Sequence, residues 1–271
     1  MSTAKLARDT RELLFDRPAY TGNAPLPMLR RGVDTVLDLV FPPHCCACGT
    51  PLPAVQNKVL CLACATRVRW IGSDRCSRCG DAVGLGSGVV ADCPSCRSFP
   101  PRFLEAVASC AVYLEGPVRD VVLALKFGRK IHVAHLLGDI LARRLQATEL
   151  IAPGTIVVPA PLTRKALRDR GFNQAEEIAR RVARRLRLRC VPRLLEKIRA
   201  TPSQASLGRE KRRVNLDGAF ACHAKLAKRH AAAPILLIDD VITTGSTVSE
   251  CARTLHAAGV KNIRAASFAR G

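Results

Sequence analysis

Aromatic residues are scarce in this chain: eight Phe, two Tyr and one Trp among 271 residues. That scarcity argues against a protein built on base-stacking platforms. Acidic residues are few as well. Lys and Arg number 43 against 22 Asp and Glu, for a formal net charge of +21. Such a charge attracts polyanions, whether phosphorylated metabolites, nucleic acid or anionic membrane, and does not choose among them. No stretch approaches the roughly 18 uninterrupted apolar residues of a membrane span, so none is expected. The first residues carry Lys5, Arg8, Asp9, Arg11 and Glu12 with no apolar run after them, unlike a secretory signal. A cytoplasmic location is the expectation.

Cysteine, in contrast, is abundant, with thirteen residues. In a reducing compartment structural disulfides are disfavoured and thiolate–metal bonds are not. An odd count also argues against a complete disulfide framework. Eight of the thirteen form four Cys-x-x-Cys pairs: Cys45/Cys48, Cys61/Cys64, Cys76/Cys79 and Cys93/Cys96. Two intervening residues let both sulfurs of a knuckle face one tetrahedral ion, and two knuckles complete a Cys₄ set. The spacing predicts two zinc ions. With thiolate at every position no site is left open, so the metal is structural. Sequential pairing joins 45/48 to 61/64 and 76/79 to 93/96; interleaved pairing would make a cross-braced site. Sequential pairing is favoured because each ribbon closes a shorter loop. Gly49 and Gly80 follow the first and third pairs, where tight knuckles need a glycine. Cys46 reads as a bystander, and Cys110, Cys190, Cys222 and Cys251 as small buried hydrophobes. The run Gly84–Gly88 precedes no helix and reads as a ribbon loop.

Three regions follow from texture. Residues 1–27 mix charge, Gly and Pro without period and read as a flexible extension. Residues 28–100 hold a helix and the double ribbon; Leu29, Val33, Val36, Leu37, Val40 and Phe41 share one helical face that Pro42 and Pro43 terminate. That helix is expected to pack on the rest of the protein. Residues 103–271 alternate strands and helices. Strands are expected at 106–113, 155–158, 235–238 and 263–268, and helices at 118–127, 133–145, 173–186 and 246–258. Ile235–Ile238 is wholly apolar, as in a strand buried on both faces of a parallel sheet. The alternation predicts an α/β domain with helices on both faces of that sheet.

The most informative stretch is Ile235–Thr247. An apolar strand delivers Asp239 and Asp240 at its carboxyl end, the end at which open α/β sheets bind ligands. Val241, Ile242, Thr243, Thr244, Gly245, Ser246 and Thr247 lead into a helix. A helix N-terminus offers free amides and a positive dipole end to a phosphate. Hydroxyls add donors, and glycine admits close approach of the backbone. Two carboxylates would repel a bare phosphate; they suit the hydroxyls of an attached sugar, directly or through a metal. Together these features specify a ribose 5-phosphate group. The competing reading is an ordinary strand-to-helix turn with Ser246 as N-cap.

These residues resemble the phosphoribosyl pyrophosphate (PRPP) signature of the type I phosphoribosyltransferases. The chain as a whole is similar to the ComF family, which joins a double zinc ribbon to such a domain. Supporting segments are Leu125-Lys126-Phe127, Val158-Pro159-Ala160-Pro161-Leu162, Arg170–Ala175 and Thr201-Pro202-x-Gln204-x-x-Leu207, with Arg212 and Asn215. The resemblance covers roughly residues 41–271. It implies PRPP with Mg²⁺ as ligand, Asp239 and Asp240 on the ribose, and Val241, Thr243, Thr244, Gly245, Ser246 and Thr247 at the 5-phosphate. It further implies a pyrophosphate-gripping loop at Ala160–Lys165 and a mobile loop at 199–213. Arg164, Lys165, Arg199 and Arg209 are then the candidate cations for the leaving pyrophosphate. The implied reaction displaces pyrophosphate from the anomeric carbon through an oxocarbenium-like state.

Residues 162–213 hold seventeen Lys and Arg against five Asp and Glu. Arg180, Arg181, Arg184 and Arg185 lie on one side of a predicted helix. Such a segment is either a solvated face or a track for single-stranded DNA or another polyanion. Three functions therefore stand side by side: a transferase using PRPP, a PRPP- or nucleotide-sensing module without chemistry, and a DNA-handling factor linked to competence.

Overall fold

The computed structural model describes residues 43–52, 59–98, 100–128, 130–200 and 216–271. The expected extension at 1–27, the helix at 28–41, most of the 199–213 loop, and Arg209, Arg212 and Asn215 lie outside the described residues.

Two small cysteine-bearing units come first. The first contains the short helix α1 (Leu62–Ala65). The second contains β1 (Arg75–Cys76), β2 (Val89–Val90) and α2 (Pro94–Ser98). An α/β unit follows: β3 (Val107–Val112), α3 (Pro117–Phe127), α4 (Ile131–Gln146), β4 (Ile156–Pro159), α5 (Arg164–Arg170), α6 (Gln174–Leu186) and β5 (Arg189–Cys190). The hairpin strands β6 (Leu195–Lys197) and β7 (Phe220–Cys222) come next. They are followed by α7 (Ala224–His230), β8 (Ile235–Ile242), α8 (Ser246–Ala257) and β9 (Ile263–Arg270). Five strands form one sheet in the order β3-β9-β8-β4-β5, every neighbouring pair parallel. This is the α/β architecture with an N-terminal double ribbon that the sequence predicted.

The strands and helices expected within residues 103–271 are present, with shifted ends. β8 is the informative shift. It runs to Ile242, four residues beyond the apolar stretch, because the pairing with β9 continues through Asp239↔Ser267 and Val241↔Ala269. Helices α5 and α7 and the β6–β7 hairpin were not anticipated. α5 buries none of its residues, so it has no apolar stripe for a periodicity reading to find.

The sheet separates two apolar layers. On one face Val121, Leu125, Leu137, Leu141, Ile178 and Val182 pack against Val157, Leu236 and Ile238. On the other, Val248, Cys251 and Leu255 of α8 pack with Leu237, Ile263 and Ala265. Helices α4 and α6 approach closely at Gly138. A methyl group there would lie 2.6 Å from Cβ of Arg181, so only glycine fits.

The segment between the ribbons continues the sheet. Trp70 bridges to Ala111 in antiparallel fashion. Ile71 N–H donates to the Cys110 carbonyl at 2.8 Å, and Val112 N–H to the Arg69 carbonyl at 2.9 Å. Arg75 and the buried Arg144 both donate to the Gly72 carbonyl, at 3.1 and 3.3 Å. The outer edge of β3 is thus covered by the chain itself.

Candidate functional site

The cysteines settle into two separate tetrads, Cys45/Cys48/Cys61/Cys64 and Cys76/Cys79/Cys93/Cys96, each with its sulfurs within 4.8 Å of one another. Pairing is therefore sequential. Opposed sulfurs lie 3.6 Å apart for Cys48–Cys61, 3.6 Å for Cys76–Cys96 and 3.5 Å for Cys79–Cys93. Tetrahedral zinc with bonds of about 2.3 Å needs sulfurs about 3.8 Å apart. The tetrads fit that ion and support two structural zinc sites. Thr50 lies 3.2 Å from the Cys48 sulfur and, with its backbone amide, draws that thiol's pKa down to about 6, toward the thiolate a metal requires. Gly49 and Gly80 take positive φ, 73° and 69°, as their knuckles demand. Cys46 stands outside both tetrads. Cys110 and Cys251 are buried as expected, whereas Cys190 and Cys222 are only half-buried.

The second site lies at the carboxyl ends of β4 and β8. From β4 the chain moves outward to β5, and from β8 the other way to β9. The crevice between them is the switch point at which such sheets hold ligands. β4 pairs with β8 only as far as Pro159↔Ile238, so Asp239 through Ile242 overhang that crevice. The two acids lie inside the strand's last turnout and not after its end. The amide of Asp240 donates to Asp239 Oδ1 and the amide of Val241 to Asp240 Oδ1, both at 2.9 Å.

Asp240 is buried, and its Oδ2 accepts no directed hydrogen bond. The nearest charge is the Lys126 ammonium at 3.1 Å, an ion pair across the end of α3. Burial works to lower the Lys126 pKa, but the Asp240 carboxylate outweighs it and the net shift is upward. The Asp239 carboxyl is pushed well above the ordinary range, first by burial and then by the neighbouring Asp240 charge. A cation brought beside Asp239 would work against that rise.

The turn beyond the acids is built for close approach. Gly245 has φ 76°. The Thr244 and Ser246 hydroxyls bond each other at 2.7 Å. Helix α8 begins with Gly245 as N-cap and has no cap from that residue's side chain, so Ser246 is not the cap, and its own amide donates to Thr244 Oγ1 at 3.4 Å. A hollow of about 20 Å³ is lined by Asp239, Val241, Thr243, Gly245, Ser246 and Thr247. That is water-sized.

The predicted cations are dispersed. Arg164 and Lys165 start α5 and are exposed, with Arg164 paired to Glu196 of β6 at 3.1 Å. Arg199 donates to the Asp217 carbonyl at 2.6 Å. Three residues went unassigned in the sequence. Lys126 lies in the Leu-Lys-Phe segment, which was the signal. Lys197 stacks over Phe220 at 5.5 Å, and burial lowers its pKa while Asp239 opposes that shift. Arg270 is buried at the end of β9 and donates to the carbonyls of Ile242 at 3.1 Å, Thr243, and Cys79 at 3.2 Å. It ties the turn to the Cys76/Cys79 knuckle of the second ribbon, and an arginine closing an apolar strand was its only trace in the sequence.

Three of the four arginines on the α6 face are paired, with two carboxylates between them. Arg181 and Arg185 each fork onto Asp139 at 2.6–3.1 Å, and Arg180 onto Glu176 at 2.6 and 3.0 Å. Burial would raise the Asp139 pKa, but the two guanidinium groups hold it below the usual range. Arg168, Arg184, Arg187, Arg189 and Arg193 remain exposed. Among the described residues no helix is long and apolar enough to cross a membrane.

Comparison with known proteins agrees with the double ribbon. Residues 36–97 match the family model described as a double zinc ribbon domain. The DNA utilization protein YhgH of Salmonella typhi is 31% identical over 230 residues, which cover 83% of this chain and 96% of that protein. The chain belongs to the ComF family. Its Escherichia coli K12 relative of the same name is 30% identical, over 80% of this chain and 92% of the relative. Competence protein F of Haemophilus influenzae is 26% identical over 84% and 96%. This ComF-family chain therefore matches nearly the full length of relatives named for DNA utilization and competence.

Proposed function

We propose that this ComF-family protein binds PRPP with Mg²⁺ at the β8–α8 turn and acts there as a phosphoribosyltransferase. The observation that carries the reading is the uncapped start of α8 directly after two acids that overhang the switch-point crevice. The amides and the hydroxyls of Thr243, Thr244, Ser246 and Thr247, with the backbone of Val241 and Gly245, take the 5-phosphate. Asp239 and Asp240 take the ribose hydroxyls, directly or through Mg²⁺, which neutralises their paired charge. Arg164, Lys165, Arg199 and Arg209 supply positive charge for the pyrophosphate. The work is cytoplasmic, where free thiolate ligands and PRPP coexist.

Titration calorimetry with Mg²⁺·PRPP tests this. Wild type is expected to bind, and Asp239→Asn or Asp240→Asn to weaken binding about tenfold or more, the value of a charged hydrogen bond. The sign with pH follows from the raised Asp239 carboxyl. A ligand that needs the ionised form binds more tightly as pH rises through that pKa and less tightly below it. No binding by wild type removes the proposal. Binding without pyrophosphate release across a panel of acceptors turns it into a sensing module.

The relatives' names favour a second reading, in which single-stranded DNA is a partner. The exposed arginines of α5 and α6 support it. Affinity that does not fall with added salt would defeat it.

A further inference from the structure

Arg270 closes β9 with only 5% of its surface exposed. A buried guanidinium is costly unless its donors are met. Here they are met by carbonyls from regions far apart in sequence. Nη1 donates to the carbonyls of Ile242, at 3.1 Å, and of Thr243, both in the β8–α8 turn, and to Gly271 beside it at 2.8 Å. Nε donates to the Cys79 carbonyl at 3.2 Å, across 191 residues of chain. The base of the side chain is held from both sides. β9 lies between β3 and β8 and pairs Arg270 with Val112 and with Ile242.

Each contact fixes a peptide whose other side has a task. The C=O and N–H of a trans peptide point in opposite directions. With the Ile242 and Thr243 carbonyls drawn to the guanidinium, the Thr243 and Thr244 amides point away from it. Neither amide has a partner among the described residues. Arg270 thereby sets the direction of two donors assigned above to the 5-phosphate. At the ribbon end, the peptide joins Cys79, a tetrad ligand, to Gly80. Its C=O reaches Arg270, and its N–H closes the knuckle on the Cys76 carbonyl at 3.0 Å. The knuckle keeps this shape while both of its sulfurs face one ion. Loss of the ion frees the peptide to turn. A buried donor of Arg270 then stands unmet, and the guanidinium is free to leave the turn as well.

We propose that Arg270 is a positioning residue through which the second zinc tetrad and the β8–α8 turn hold one another. Metal on Cys76, Cys79, Cys93 and Cys96 keeps the Cys79 carbonyl on the guanidinium, and the guanidinium keeps the Thr243 and Thr244 amides aimed. Coupling of this kind is reciprocal by necessity, so an anion on those amides slows loss of the metal. The proposal rests on the reading above for the identity of that anion, Mg²⁺·PRPP.

The test uses the full chain loaded with two zinc ions. Amide exchange is read by NMR at Ser249 and Gly271, whose N–H groups donate to the Gly245 carbonyl at 2.9 Å and the Ile242 carbonyl at 3.0 Å. Cys93→Ser weakens the second tetrad at its other knuckle. It is expected to speed exchange at both amides about fivefold or more. Arg270→Lys, which keeps the charge and loses the fork, is expected to do the same, and the double variant to go no further than either single one. Effects that multiply, no acceleration by Cys93→Ser, or equal acceleration by Cys61→Ser in the first tetrad overturn the proposal. The Cys93→Ser result decides alone if Arg270→Lys does not fold. In the reverse direction, Mg²⁺·PRPP is expected to slow zinc transfer to a colorimetric chelator about fivefold in wild type and not in Arg270→Lys. PRPP that binds by calorimetry without slowing that transfer overturns the coupling and leaves the earlier reading standing. PRPP that does not bind removes the earlier reading, and the exchange rates then decide whether ribbon and turn are coupled.

Discussion

The first ribbon buries Leu52, Val59, Leu60 and Val68 in the same apolar cluster as Val121, Leu125 and Leu137 of helices α3 and α4. The second buries little besides its own four cysteines, with Val83 and Val90 against them. Ligand sets and spacings are nearly alike, yet the supports differ. One ribbon is fastened by apolar surface removed from water, worth about 25 cal/mol per Å². The other has too small a core to stand alone and relies on its metal. It meets the sheet through backbone: the Cys79 carbonyl on Arg270, and Gly80 lodged against Val107. The same motif thus serves as an extension of a core in one place and as a metal staple in the other.

The sharpest way to break this comparison is to remove the metal. Structural zinc contributes on the order of 10 kcal/mol to small folds at neutral pH. With a strong chelator, residues 75–97 are expected to lose hydrogen-exchange protection entirely, while 59–68 keep part of theirs. Simultaneous loss in both ribbons would mean that their supports are equivalent. A smaller effect comes from truncating each ribbon's apolar contacts. Leu60→Ala is expected to cost the whole protein about 2–4 kcal/mol, read as a fall in thermal midpoint. Val83→Ala should leave that midpoint unchanged and lower only the zinc retained by the second tetrad; the reverse pattern would invert the comparison. The mildest test is Gly80→Ala. The added methyl would stand 2.6 Å from the Val107 carbonyl at a φ of +69°, and strain of this kind costs about 1–3 kcal/mol. Zinc competition assays should show faster loss from the second tetrad, and Gly49→Ala, with open space around it, a lesser change at the first.

Much of this was legible in the residues. Cysteine spacing carried the four knuckles, because a knuckle is a local object; their sequential pairing was only favoured by loop length, and the fold decides it. Ile235–Ile238 announced a buried strand, since an apolar run of that length has no other stable place. What stayed hidden depends on contacts remote in sequence. Asp139 lies 42 residues from Arg181 and 46 from Arg185, so the arginine face read as open positive charge although most of it is paired. Helix α5 gave no period because it buries nothing. The exposure of Phe127 at the end of α3 was hidden too, since only packing shows which apolar side chains of a helix stay uncovered.

The Arg69–Ile71 segment carries a consequence of its own. An open sheet has two bare margins, and a bare margin invites strands from other molecules to add on. At one margin of this sheet β5 contributes only two residues, too short a template. At the other, β3 is six residues long and strongly apolar, the kind of strand that seeds aggregates. Its cover is the chain between the two metal knuckles, pinned at both ends by cysteine tetrads. The ions that organise the ribbons therefore also keep the longest margin of the sheet closed to other molecules.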